Sequence, residues 1–172
     1  LGIRDFQGFD FISSPGKEGI IGAIDTLNML GALDKDNSLS AIGKLMVQFP
    51  LEPRTSRIIV EAIMHYPNVL EEVLIAASFL SANSPYILPP GEELEARRAH
   101  HSFRDIQGDF VAYLNLFRAF EKCDSAEKKS SFCKRFYLDE RIMLEIENIN
   151  AQLSDIVSQM NIPICGGGDK SD

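Results

Sequence analysis

Apolar side chains recur along this chain at two periods, and the changes of period mark its elements. Over residues 1–15, Ile3, Phe6, Phe9 and Phe11 alternate with polar residues up to Ser13-Ser14-Pro15-Gly16, which is turn chemistry, so the pattern predicts an extended lead-in. From Lys17 the spacing turns helical: Ile20, Ile24 and Leu27, with Ile21 and Leu30 beside them, predict a helix to Leu30 with Gly31 as its stop. Residues 32–39 carry short apolar ends around Asp34-Lys35-Asp36-Asn37, which predicts a tight hairpin or wing. Ser40 can accept the free N–H groups of a following helix built on Ile42, Leu45, Met46 and Phe49.

Helix, hairpin, helix is the order and size of a winged-helix unit, and Pro50-Leu51-Glu52-Pro53 ends it. Past that joint the strand signals stop. Pro53 suits the first position of a helix carrying Ile58, Ile59, Ala62, Ile63 and Tyr66 up to Pro67. Asn68 can cap the next segment, and Glu71 and Glu72 fall in its first turn, where carboxylates favour the helix dipole. Residues 69–81 are apolar on most faces, which predicts the central buried helix of a bundle. Pro85, Pro89 and Pro90 mark residues 83–91 as a surface connection, and a polar helix is expected from Glu92 to Arg104. Asp109 is a candidate cap for a helix whose one face carries Phe110, Tyr113, Phe117 and Phe120. Over 139–160, Ile142, Ile146, Ile149, Leu153, Ile156 and Met160 are spaced 4, 3, 4, 3, 4. That stripe fits a coiled coil or one helix lying along a bundle; a coiled-coil signal needs about three to four heptads, so the bundle is favoured. The fold expected is mainly α.

Composition narrows the function. At 172 residues the chain suffices for one domain or two small ones. Lysine and arginine number 17 against 25 aspartate and glutamate, and the formal charge of −8 argues against an autonomous binder of the phosphate backbone. No apolar run approaches the roughly 20 residues of a membrane span. Cys123, Cys133 and Cys165 are odd in number with no C-x-x-C pair, which speaks against a disulfide framework or zinc cluster and for a reducing, cytoplasmic setting. The chain starts at Leu1 with no leader pattern and reads as part of a longer protein.

Chemistry-bearing motifs are few. Gly166-Gly167-Gly168-Asp169-Lys170-Ser171 departs from a phosphate-binding loop at Asp169 and follows no strand; a flexible tail over 161–172 is expected instead. His100 and His101 are adjacent, and neighbours on a helix diverge by about 100°, so they do not converge on one metal. No hydrolytic motif is present, and no catalytic, cofactor-binding or metal-ligating residue is assigned. Two basic clusters are candidates for phosphate contact: Arg97, Arg98, His100, His101 and Arg104, and Lys128, Lys129, Lys134 and Arg135.

These residues also carry a resemblance. Leu1-Gly2-Ile3, Phe9-Asp10-Phe11-Ile12, Leu30-Gly31-Ala32-Leu33, Ser40-Ala41-Ile42-Gly43 and Phe49-Pro50-Leu51-Glu52-Pro53-Arg54 are similar to the segment after the second motor domain of DEAH-box RNA helicases. Glu72-Val73-Leu74-Ile75-Ala76-Ala77 with Leu80-Ser81, Gly108-Asp109-Phe110 before Leu114-Asn115, Phe132-Cys133 with Phe136, and Gln152-Leu153 continue it, so the match runs over about residues 1–157. Many eukaryotic members have Gly-Asp-His and then threonine where this chain has Phe110 and Ala112, and Trp-Cys in place of Phe132-Cys133; Phe110 resembles the bacterial HrpA-like branch.

The resemblance implies a winged-helix domain over 16–50 and a helical ratchet domain over 51–160, after a lead-in over 1–15 from the second motor domain. An OB-fold is expected downstream. In such helicases these domains close an RNA channel against the motor domains, so the implied partners are single-stranded RNA, bound weakly by this stretch alone, the motor and OB-fold domains of the same chain, and an activator protein, with no membrane. ATP and magnesium are expected on the parent protein and no cofactor on this stretch. The nucleic-acid-binding residues expected are Ser81, Asn83, Arg97, Arg98, His100, His101, Arg104, Lys128 and Lys129. Two other readings stay open: a docking module for a helicase activator, and a freestanding winged-helix DNA binder, which the charge disfavours.

Overall fold

The computed structural model describes residues 17–167; the expected lead-in over 1–15 and residues 168–172 of the expected tail lie outside them. The first helix, α1 (Lys17–Met29), stops where Gly31 takes the left-handed φ of 70°. Ala32 N–H then reaches back to Leu27 O at 2.9 Å, which satisfies one of the helix's open carbonyls. The expected wing is a minimal hairpin. Leu33 and Leu39 form one antiparallel bridge, Asp34 N–H donates to Ser38 O at 2.8 Å, and Asn37 takes the turn with φ 61°. Ser40 caps α2 (Ala41–Met46) as its position predicts: its Oγ accepts Gly43 N–H at 3.0 Å. The helix lies so close to the hairpin that a Cβ at Gly43 would collide with the Ala32 carbonyl oxygen. Only glycine allows that approach.

Pro53 starts α3 (Pro53–His65) at the position where its missing N–H is harmless. Two expected caps are corrected. Pro67 opens a 3-10 turn over Pro67–Val69 that takes in Asn68, so α4 (Leu70–Ser81) begins with no side-chain cap, and Glu71 N–H is satisfied by Cys165 O at 3.1 Å. Glu71 and Glu72 do occupy its first turn. α5 is shorter than the expected 92–104, running Glu93–His101. Asp109 does not cap α6 (Asp109–Glu121) but is its first residue; Gly108, with φ 118°, stands at the cap position. α7 (Ala126–Arg135), which the apolar pattern does not announce, is capped by Ser125 Oγ, and α8 (Glu140–Gln159) by Asp139. Two isolated bridges are the only extended pairings among the described residues, so the chain is mainly α: a small winged-helix unit followed by a helical bundle.

Two cores hold these elements. The first is aliphatic: Ala32, Met46 and Phe49 from the wing side join Ile59, Val60, Leu70, Leu74, Leu153 and Val157. The second is aromatic: Phe79, Phe103, Phe117 and Phe120 surround Ile75, Cys133, Met143 and Ile146. α4 serves both because its apolar residues occupy opposite faces, Leu70, Leu74 and Ala77 on one and Ile75 and Phe79 on the other. α8 serves both along one face, Met143 and Ile146 in its first half and Leu153 and Val157 in its second. It therefore lies along the bundle, as favoured from its stripe, although Ile142, Ile149 and Ile156 are only partly buried. Residues 161–167, expected as the start of a flexible tail, instead return to α4: Ile162 and Ile164 pack on the aliphatic core, and Gly167 N–H donates to Glu72 Oε1 at 2.8 Å.

Candidate nucleic-acid interface

α5 is the most polar helix of the bundle's middle part. Of its own residues only Ala96 is buried, and Phe103, just beyond its end, sinks into the aromatic core. That leaves its arginines and histidines on the surface. What fixes their position is the joint between α7 and α8. Tyr137 there adopts φ 53°, a left-handed conformation that costs a non-glycine residue roughly 1 kcal/mol or more. Its carbonyl accepts Ile87 N–H at 2.9 Å and stands 3.0 Å from His100 Nε2, which carries the proton if it donates. Its phenol donates to Glu92 Oε2 at 2.8 Å, and that bond raises the phenol's pKa. Next to it, Asp139 N–H donates to Pro85 O at 2.8 Å. The Tyr86 ring lies 4.6 Å from the His100 ring.

Between the proline segment, α5 and α6 these contacts leave a cleft of about 610 Å³. Arg97, His100, His101 and Arg104 line one wall, Ser84, Tyr86 and Leu88 another, and Asp109, Ala112 and Tyr113 the third. Burial pushes the Tyr86 hydroxyl above its ordinary value first, with Tyr113 and Asp109 adding and Arg104 opposing. The phenol stays neutral and able to donate. Glu92 and Glu93, which dilute the basic cluster in the sequence, are engaged elsewhere: Glu92 holds Tyr137, and Glu93 accepts Gly91 N–H at 2.9 Å. Backbone N–H groups hold the Glu93 carboxyl below its usual range, with Arg97 contributing least. Arg97, Arg98 and Arg104 make no ion pair among the described residues. Guanidinium groups left open beside a cleft can take phosphate oxygens as a fork.

The nine expected residues are not all gathered there. Arg98 is exposed on α5 but does not line the cleft. Ser81 donates to Ala77 O at 2.7 Å and lines a separate cleft of about 350 Å³ with Phe49, Leu51 and Thr55; Asn83 is exposed outside both. On α7, Lys128 pairs with Asp124 at 2.7 Å, and Lys129 pairs with Glu147 at 2.6 Å while its Nζ sits 5.1 Å above the Phe120 ring. Lys129 is held between α7 and α8 by its pair, whereas Lys128 remains 63% exposed in an i,i+4 pair at the surface. The sequence reading missed Tyr86, Tyr113 and Tyr137. Tyr113 shares its stripe with packing residues, and neither Tyr86 among prolines nor Tyr137 in a joint has a periodic signal.

Among the described residues no group of three or more His, Cys, Asp or Glu side chains is placed to hold a metal ion, and no helix is long and apolar enough to cross a membrane. The glycine run does not fit a phosphate group over its described part, because Gly166 and Gly167 lie against the carboxylates of Glu71 and Glu72.

Residues 23–51 match the winged-helix part, and residues 52–134 the ratchet-like part, of the helicase associated domain. The chain is 43% identical over 98% of its length to the ATP-dependent RNA helicase HrpA of Borreliella burgdorferi, of which it covers 20%. It is 34% identical over 96% of its length to a pre-mRNA-splicing factor ATP-dependent RNA helicase of Arabidopsis thaliana, covering 25% of that protein. Against HrpA of Escherichia coli the figures are 30% identity over 95%, covering 13%. The chain thus spans a quarter or less of the length of these relatives.

Proposed function

Because the chain belongs to the helicase-associated family of DEAH-box RNA helicases, as a winged-helix unit followed by a ratchet-like one, we propose that it is a channel-forming module of an ATP-dependent RNA helicase. The observation that carries this reading is the gathering of Arg97, His101 and Arg104 in one cleft, with neither arginine in an ion pair among the described residues, in a chain whose net charge is −8. An acidic protein keeps open arginines together where a local anion is to be met. Single-stranded RNA runs past this cleft, and Arg97 and Arg104 take its phosphates. Most of the backbone grip comes from the motor domains, which hold ATP and magnesium, and from the OB-fold; Ser81, Asn83, Arg98, Lys128 and Lys129 contribute at most from the periphery. For this chain the proposed setting is the cytoplasm, on the ground of its three cysteines without a C-x-x-C pair. The two alternatives, activator docking and freestanding DNA binding, draw no support from a family match that spans both units.

The test is Arg97→Glu with Arg104→Glu in the full-length helicase. RNA-stimulated ATP hydrolysis falls about tenfold or more while the thermal midpoint stays within a few degrees of the unsubstituted protein, as expected for exposed side chains. Unchanged stimulation removes the cleft from the RNA path.

A further inference from the structure

On the aromatic stripe of α6, three rings are packed into the bundle and the fourth stays largely at the surface. Phe117 and Phe120 are fully buried, Tyr113 stacks on Phe79 with centroids 4.5 Å apart and planes 12° apart, and Phe110 is left 54% exposed in the first turn. The Phe110 ring meets Tyr113 edge to face at 6.4 Å and 71°. It is therefore backed, through Tyr113 and Phe79, by the aromatic core itself. Ile106, four residues before it, is wholly exposed at 103%, so this corner is an apolar surface beside a cleft lined by Arg97 and Arg104. A basic groove next to a supported aromatic ring with an open face is the combination that holds single strands: charges follow the backbone, and bases stack on the ring whatever their identity. A ring already held in place loses little freedom when a base lands on it.

We propose that Phe110 is a stacking platform for one unpaired nucleobase of the strand whose phosphates Arg97 and Arg104 contact. The proposal rests on the cleft being the RNA path and adds the feature that selects single strands, since paired bases inside a duplex have no free face to offer. With 54% of its surface exposed, the Phe110 ring keeps area open to solvent on which a base can land.

The experiment uses the full-length helicase without nucleotide and two labelled probes at low salt, an oligoadenylate of about 12 nucleotides and the same backbone with abasic riboses, read by fluorescence anisotropy. Phe110→Ala weakens oligoadenylate binding about 5- to 100-fold and leaves the abasic probe within about twofold, whereas Arg97→Glu with Arg104→Glu weakens both. Phe110→Leu, which keeps apolar bulk without a π face, behaves like the alanine variant, and Phe110→Tyr like the unsubstituted chain. If Phe110→Ala or Phe110→Leu leaves oligoadenylate binding unchanged, or weakens both probes equally, while the arginine pair still matters, stacking is overturned and the cleft stands. If the arginine pair changes neither probe, the cleft reading and the platform fall together.

Discussion

The two cores of this bundle solve the same problem with different materials. The aliphatic one joins the wing to α3 and α4 by close approach, with Ala32, Ala62 and Ala77 at its contacts and Gly43 letting two backbones touch. The aromatic one joins α6, α7 and the first half of α8 by filling space with rings: Phe103 lies 4.9 Å from Phe136, Phe120 5.9 Å from Phe132, and Phe79 6.4 Å from Phe117. Large rings reach. They anchor α5 through little more than Ala96 and Phe103, and so free its remaining surface for arginine and histidine. On the aliphatic side, a cleft of about 580 Å³ beside the wing is lined by Leu30, Ile58, Ala62, Val69 and Val73, and its Arg57 is paired with Glu61 at 2.7 Å. The lesson is that a binding surface is easiest to build on an element whose burial is delegated to others.

The comparison can be broken by making each core smaller and watching the other. Phe117→Ala in the aromatic core costs about 3–5 kcal/mol, and Leu74→Ala in the aliphatic core about 2–5 kcal/mol. In urea, each substitution shifts one shared transition, seen alike by tyrosine fluorescence and far-UV circular dichroism, because α4 and α8 belong to both cores. Two separated transitions would show that the cores are independent. Gly43→Ala should cost less, about 1–3 kcal/mol, by pushing α2 off the Ala32 carbonyl; it sharpens the contrast because no position of the aromatic core depends on a missing Cβ among the described residues. The smallest effect is alkaline. The buried Cys133 thiol is pushed up to about 11, by burial first and then by Glu140, Cys123 and Asp139. Its folded pKa is raised, so its contribution is fully present below the unfolded value, near 8.5, and is lost as pH rises through about 11. Cys133→Ala removes that slope, measured as the urea midpoint between pH 8 and 11. Exposed Cys165 alkylates readily at pH 8 while Cys133 does not.

Much of the fold was legible because its signals are local. Ser40 caps α2, Pro53 opens α3 and Gly31 closes α1 as their chemistry dictates. The continuous apolar run of α4 announces a helix buried on two faces. The caps at Asn68 and Asp109 were misread because a preceding Pro67 and Gly108 shift the helix start by a turn or a residue. α7 is hidden by its polarity: after Ala126 only Phe132 and Cys133 interrupt Glu, Lys, Ser and Arg, and Cys133 alone is buried. The basic wall of the cleft was legible as a run of residue types from Arg97 to Arg104. Its other walls were not, since the Tyr86 segment is placed by backbone bonds to the joint around Tyr137, between segments about 50 residues apart in sequence. For the same reason nothing in the sequence separates Lys129, which faces Glu147 across α7 and α8, from an arginine left open.

α8 is 20 residues long, which makes it a rod of about 30 Å. Its first residue follows the Tyr137–Asp139 joint that holds the cleft, and its last turns press Leu153 and Val157 against the wing side. A straight helix stretches very little, so α8 sets the separation between the joint that holds the cleft and the part of the aliphatic core that Leu153 and Val157 join.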